Sequence, residues 1–226
     1  MSLQQNITRI KVVYDALGHL APDVVFVGGA TVALYATRPT GEVRPTDDVD
    51  VLVELAHHRE YAQLEEQLRS KGFVNDIASG VICRYTIRGI TVDIMPTQDS
   101  ALGFSNPWYP EGFRSAVDHP INADYTIRLL RPAYFIATKL AAFLNRGRGD
   151  GRLSTDFEDI VFILNNRPAI WREMNTAPEE LFAWLQQQVR YLLAQPSLYE
   201  WISGHLDYTE QRRATVILGG LEAFVQ

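Results

Sequence analysis

The sequence predicts an α/β (α+β) fold, a sheet flanked by helices and followed by an α-helical C-terminal region. In the first half, short runs rich in β-branched residues, Val24-Val25-Phe26-Val27 and Val49-Asp50-Val51-Leu52-Val53 among them, alternate with stretches of helical periodicity. After Pro132 the strand-like runs cease and only the helical period persists. A length of 226 residues with 46% hydrophobic side chains supplies enough core for one large domain or two small ones. The change of character near Arg131 divides the chain into an α/β part, residues 1–130, and a helical part, residues 131–226.

Ile7, Ile10, Val13 and Leu17 repeat at helical spacing, so residues 7–20 read as an amphipathic helix that stops near Gly18. Residues 23–27 follow as a buried strand closed by Gly28-Gly29, with a short helix over 30–36. Two prolines, a glycine and two arginines make 37–46 a loop. Residues 48–53 form the second strand, a helix lies between 58 and 71, and Gly72 stops it. Strands near 81–87 and 90–95 meet at Arg88-Gly89 as a hairpin. Residues 103–110 are too rich in turn formers and aromatics for a regular element and read as an ordered surface loop. A last strand near 125–130 leads to Pro132, well placed for the first turn of a helix running through Lys139 to Asn145. Ser154 or Thr155 caps the next helix, and 181–193 and 209–224 continue the helical pattern.

The single Cys83 excludes an intrachain disulfide framework, and no cysteine and histidine pair has the spacing of a structural zinc site. A reducing, cytoplasmic compartment fits. The first six residues are polar and no apolar run approaches the ~20 residues that span a bilayer, so neither signal peptide nor membrane anchor is expected. A net charge of -6 argues against a protein that coats nucleic acid, since that affinity rests on Lys and Arg displacing counterions. A local basic patch stays open: Arg146, Arg148 and Arg152 sit among glycines, as a phosphate-contacting loop or a merely solvated one. His57, His58, His119 and His205 read as structural or solvated, and Cys83 as a strand residue without chemistry.

Residues two apart on a strand point the same way, so Asp48 and Asp50 project from one face while Val49 and Val51 face the core. Like charges so close repel, an arrangement that suits a divalent cation between them. Asp93, within Thr91-Val92-Asp93-Ile94-Met95, is flanked by apolar residues, where an unmatched charge is costly. If its strand neighbours the second one, the three acids converge. Magnesium, with manganese as the alternative ion, takes hard oxygen ligands, and such a trio can hold two ions. Gly28-Gly29 lets backbone N–H groups approach phosphate, with the positive end of the following helix beside them. Arg44 and Thr46 stand just before the acid pair, either as contacts to a nucleotide or acceptor or as plain turn residues.

This order, a strand, Gly28-Gly29, a helix, Asp48-Val49-Asp50 on the next strand and a later Asp93, resembles the polymerase-β-like nucleotidyltransferase superfamily. Gly28-Gly29-Ala30, Leu34-Tyr35 and Arg44-Pro45-Thr46-Asp47-Asp48-Val49-Asp50 are most similar to the nucleotidyltransferase toxins of abortive-infection (type IV toxin–antitoxin) systems, over residues 26–164. The resemblance implies a mixed sheet flanked by helices and Asp48, Asp50 and Asp93 as metal ligands. It further implies a helical Lys139 that neutralises charge on a triphosphate, with Asp159 or Asp156 orienting the lysine or assisting deprotonation of an acceptor. The implied function is metal-dependent transfer of a nucleotidyl group from a nucleoside triphosphate to a hydroxyl. RNA, for example the 3′ end of a tRNA, is the acceptor it favours, and an antitoxin protein the partner. Two other readings stand beside it. One is a small-molecule, aminoglycoside-type nucleotidyltransferase, suited to an acidic surface, with Trp108-Tyr109 in its pocket or packed between the two halves. The other is a nucleotide-binding regulatory module without turnover.

Overall fold

The computed structural model describes residues 2–38, 43–55, 58–98, 106–147 and 149–226. By internal contacts the chain falls into two compact units, Met1–Ala33 with Glu42–Arg131, and Leu34–Gly41 with Pro132–Gln226.

The first unit opens with helix α1 (Ser2–Leu17), whose inward stripe of Asn6, Ile10, Val13 and Leu17 is buried. Gly18, at φ +56, ends it in the left-handed conformation that a side chain would resist. Strand β1 (Val24–Val27) is buried at all four positions, as a central strand must be. The short helix expected after the glycines is a seven-residue 3-10 helix, Gly29–Tyr35, opened by i to i+3 bonding of Thr31 N–H to Gly28 O at 3.3 Å. Strand β2 (Asp48–Val53) and helix α2 (His58–Ser70) match their patterns, and Leu68 anchors α2 in the core. Beyond them come β3 (Val74–Asn75), β4 (Arg84–Ile87) and β5 (Ile90–Pro96). The β4–β5 hairpin turns at Arg88 and Gly89, both at positive φ, the signature of a tight hairpin turn. Helix α3 (Tyr109–Arg114), β6 (Val117–Pro120) and β7 (Thr126–Leu129) complete the unit.

The seven strands form one mixed sheet in the order β3-β4-β5-β2-β1-β7-β6. Strand β2 runs antiparallel to β1 and parallel to β5, with Asp50 directly opposite Asp93. Two sequence expectations are corrected here, and one strand is added. Residues 81–83 are not strand: Gly80, at φ +71, closes a 3-10 turn over Ile77–Ser79, and pairing with β5 begins at Arg84. The surface loop expected over 103–110 lies outside the described residues up to 105. From Asn106 on, the chain folds into α3 instead, with Trp108 and Phe113 buried and the Trp108 N–H bonded to Asn106 Oδ1 at 3.2 Å. Strand β6 was not foreseen; as an edge strand paired on one side to β7, it carries the polar Asp118 and His119 and ends in Pro120, so no apolar alternation marks it.

The second unit is helical: α4 (Pro132–Arg146), α5 (Thr155–Asn166), α6 (Ile170–Asn175), α7 (Glu179–Leu193), α8 (Leu198–Gly204) and α9 (Arg213–Phe224). Ser154 is the N-cap of α5, its hydroxyl accepting the Phe157 N–H at 3.3 Å. Phe143, Phe157 and Trp201 pack edge to face or tilted, with ring centroids 5.2–6.1 Å apart. The stretch from Leu34 belongs to this unit: the Tyr35 ring lies 4.5 Å from that of Phe135, and Arg167 donates to Tyr35 O at 2.8 Å. Among the described residues no helix is long and apolar enough to cross a membrane.

Candidate active site

Parallel pairing of β2 with β5 sets Asp48 opposite Thr91 and Asp50 opposite Asp93, so the pleat aims three carboxylates at one spot. Oxygens of Asp48, Asp50 and Asp93 lie within 4.8 Å of one another. Val49, Val51, Val92 and Ile94, the alternate positions of the two strands, are buried at 0–1% exposure and lock the register, since a slip of one residue would turn the acids into the core. Three hard-oxygen donors converging from rigid strands fit a magnesium or manganese ion, which completes its shell with water and substrate phosphate.

The glycine turn abuts this cluster. Val27 pairs with Asp50, and Gly28, at φ +74, approaches the acid so closely that a Cβ there would overlap Oδ2, 2.7 Å from Cγ and 3.0 Å from Cβ of Asp50. A Cβ on Gly29 would lie 2.9 Å from Thr46 Cγ2 and 3.1 Å from Arg44 Cζ. Thus Gly28, Gly29, Arg44, Thr46 and Asp50 are brought together. The helix after the turn is short and of 3-10 type, so it offers no long aligned macrodipole; the turn's N–H groups and the nearby guanidinium are the groups that could meet an anion here. Sequence reasoning missed Asn6. Its buried amide donates to Arg44 O and accepts from both the N–H and the hydroxyl of Thr46, each at 3.3 Å, tying the approach to β2 against α1. The signal was present: a polar residue on the stripe Ile10-Val13-Leu17.

Arg84 was missed as well. From β4, opposite Asp93 across the hairpin, its Nε and Nη2 donate to Asp93 Oδ1 and Oδ2 at 2.8 and 2.7 Å, and Nη2 stands 3.7 Å from Asp48 Oδ2. The bond to Asp93 raises the guanidinium pKa further above its already high value. Neighbouring Cys83 sits in the turn before β4 rather than on it; burial, then the negative charge of Asp93, pushes its thiol up to about 11.

Lys139 and Asp159 belong to the second unit, on α4 and α5. Lys139 Nζ lies 2.6 Å from Asp159 Oδ2 and 3.3 Å from Asp156 Oδ1, all three residues being buried. Asp156 is also held by Arg146, Nε to Oδ2 at 2.7 Å and Nη2 to Oδ1 at 2.9 Å. That division of labour leaves Asp159 as the nearer acid of the lysine. Arg152 pairs with Asp150, so two of the three arginines in 146–152 are committed to carboxylates and Arg148 lies outside the described residues. His205 donates its Nε2–H to Gly151 O at 2.6 Å and packs on Phe157; His57 lies outside the described residues.

Comparison with known proteins bears on the fold and the family. No curated protein matches the sequence. Among solved structures, that of the antibiotic-resistance factor ANT(2'')-Ia superposes with a TM-score of 0.51, covering 85% of this chain and 96% of that one. At 18% identity the likeness concerns the fold alone. The profile described as "Nucleotidyl transferase AbiEii toxin, Type IV TA system" matches residues 11–214, nearly the whole chain. The chain therefore belongs to the AbiEii family of nucleotidyl transferase toxins of type IV toxin–antitoxin systems.

Proposed function

We propose that this nucleotidyltransferase uses magnesium, or manganese in its place, held by Asp48, Asp50 and Asp93, to move a nucleotidyl group from a nucleoside triphosphate to a hydroxyl of RNA. The convergence of three carboxylates within 4.8 Å beside a glycine turn carries the reading. When bound, divalent ions neutralise the triphosphate and lower the cost of charge on the attacking and leaving oxygens. The chain's own residues do the rest. Gly28 and Gly29 present backbone N–H groups to the donor phosphates, and Arg44, beside Gly29, adds a fixed positive charge. Thr46, spent on Asn6, positions this approach. The acceptor oxygen forms a bond to the α-phosphorus, its proton passes to a carboxylate of the cluster, and pyrophosphate leaves with the electrons of the broken bond. In the second unit, Asp159 orients Lys139.

The toxin family favours RNA as acceptor and brings an antitoxin partner with it; the lone cysteine fits a cytoplasmic setting. One observation favours a second acceptor. The net charge of -6 suits a cationic small molecule, and the ANT(2'')-Ia neighbour is an antibiotic-resistance factor. Incubation of the protein with each α-labelled nucleoside triphosphate, magnesium, and separate RNA, protein and aminoglycoside fractions tests both. Label should enter RNA and vanish with Asp48→Ala. Label in the aminoglycoside fraction moves the assignment to the second acceptor, and transfer that persists in Asp48→Ala refutes the site.

A further inference from the structure

Arg84 stands where a cation is wanted. Its forked guanidinium takes both oxygens of Asp93 and reaches toward Asp48, and hence occupies two of the three carboxylates assigned above to a divalent ion. An ion drawing on Asp93 must compete with two charge-assisted bonds at 2.7 and 2.8 Å, in a direction fixed by cross-strand pairing of the two residues. The arginine is not locked in place. Its side chain is 27% exposed and lines a cleft of about 320 Å³ whose wall also carries Glu65 and Asp76. A guanidinium released from Asp93 therefore has room to turn and carboxylates to meet.

Building on the metal assignment above, we propose that Arg84 is a positioning residue that holds the acidic cluster together in the metal-free protein and must yield Asp93 for the divalent ion to bind. In the resting state its fork on Asp93 and its reach to Asp48 hold the acids convergent without an ion. On loading, it exchanges Asp93 for the acids of the cleft, so part of the binding free energy of the ion is spent on moving it. Metal affinity is thereby set by a residue that is not itself a ligand.

The test is binding of manganese alone to the full chain, read by electron paramagnetic resonance of the free ion, for the parent and for Arg84→Gln, Arg84→Lys and Asp50→Asn. Arg84→Gln removes the competing charge and should bind manganese about tenfold more tightly than the parent. Arg84→Lys, a point charge without the fork, should fall between them and guards against a fold defect specific to the neutral variant. Asp50→Asn should bind weakly. If both Arg84 variants bind as the parent does, or more weakly, the exchange is refuted while the metal site stands. If the parent and both Arg84 variants bind no manganese, or Asp50→Asn binds as the parent does, the metal assignment itself is wrong and the proposal falls with it.

Discussion

Substituting Gly28 by alanine separates two costs that the structure keeps apart elsewhere. At φ +74 any side chain meets the left-handed penalty of about 1–2 kcal/mol. The added methyl would also overlap Asp50, and because it comes to 3.0 Å of Asp50 Cβ as well as 2.7 Å of Cγ, rotating the carboxylate alone does not make room. Either β2 or the turn must shift, an overpacking cost of about 1–3 kcal/mol. Gly89 provides the control: its φ is +78, yet a Cβ there meets nothing within 4 Å among the described residues. Gly89→Ala should thus lose only the backbone part, and Gly28→Ala about 1–3 kcal/mol more in urea unfolding. Displacing Asp50 by about 1 Å should slow transfer by roughly 100-fold or more, against near-parental rates for Gly89→Ala. A Gly28→Ala protein that matches Gly89→Ala in both stability and rate of pyrophosphate release would refute the close approach of turn and acid.

Two further outcomes concern the helical unit. Lys139→Met removes an ammonium from beside Asp159, at 1% exposure, and Asp156, at 2%, and should cost about 3–5 kcal/mol in urea unfolding, part of which Asp159→Asn in the same chain restores; a loss under about 1 kcal/mol contradicts the buried pairing. Asp156 titrates below the ordinary carboxylate range: burial taken alone pushes it up, but the forked bond from Arg146 and the charge of Lys139 together outweigh it. A carboxyl depressed in the fold adds stability that is present above its unfolded value, about 3.9, and is lost as pH falls through the folded one. Asp156→Asn should accordingly flatten the loss of stability below about pH 4, and an unchanged acid slope counts against the Arg146–Asp156 bond.

How much of this could be read from the chain depended on whether the determining contact was local. The hairpin at Arg88-Gly89 fixes pairing by counting outward, 87 with 90 and 84 with 93, so Arg84 opposite Asp93 was implicit in a turn the sequence announced. The acid pair Asp48 and Asp50 was legible from the period-2 alternation alone. What joins it to Asp93 is a parallel pairing of strands 37 or more residues apart, which no local pattern specifies; only the resemblance to a known family supplied it. Elements with little apolar signature escaped. Strand β3 is two residues long at the edge of the sheet, β6 is an edge strand with polar faces, and α3 begins among aromatics and prolines that resemble a loop until Trp108 and Phe113 are seen to be buried. Conversely, the glycine-rich stretch 146–152 stayed open between a phosphate-contacting loop and a solvated one because sequence shows charges but not their partners, and Asp156 and Asp150 answer two of its arginines.

The site is also where the fold sets local stability against chemistry. Carboxylates whose oxygens lie within 4.8 Å of one another repel by at least about 3.5 kcal/mol at an effective dielectric constant near 20, less at the more exposed Asp48. Ordinary surface acids relieve such repulsion by turning away, but Asp50 and Asp93 are opposed across a parallel ladder whose alternate residues are core valines and isoleucine, so their backbones cannot move apart unless the sheet slips. Gly28 closes the remaining direction on the turn side. With the backbones held, the repulsion can be met by a guanidinium, by a proton or by a divalent cation. The first of these is built into β4 as Arg84, close enough to balance the charge and exposed enough to leave. A purely structural carboxylate cluster has no use for a counter-ion that can depart; a cluster that takes up metal with its substrate does.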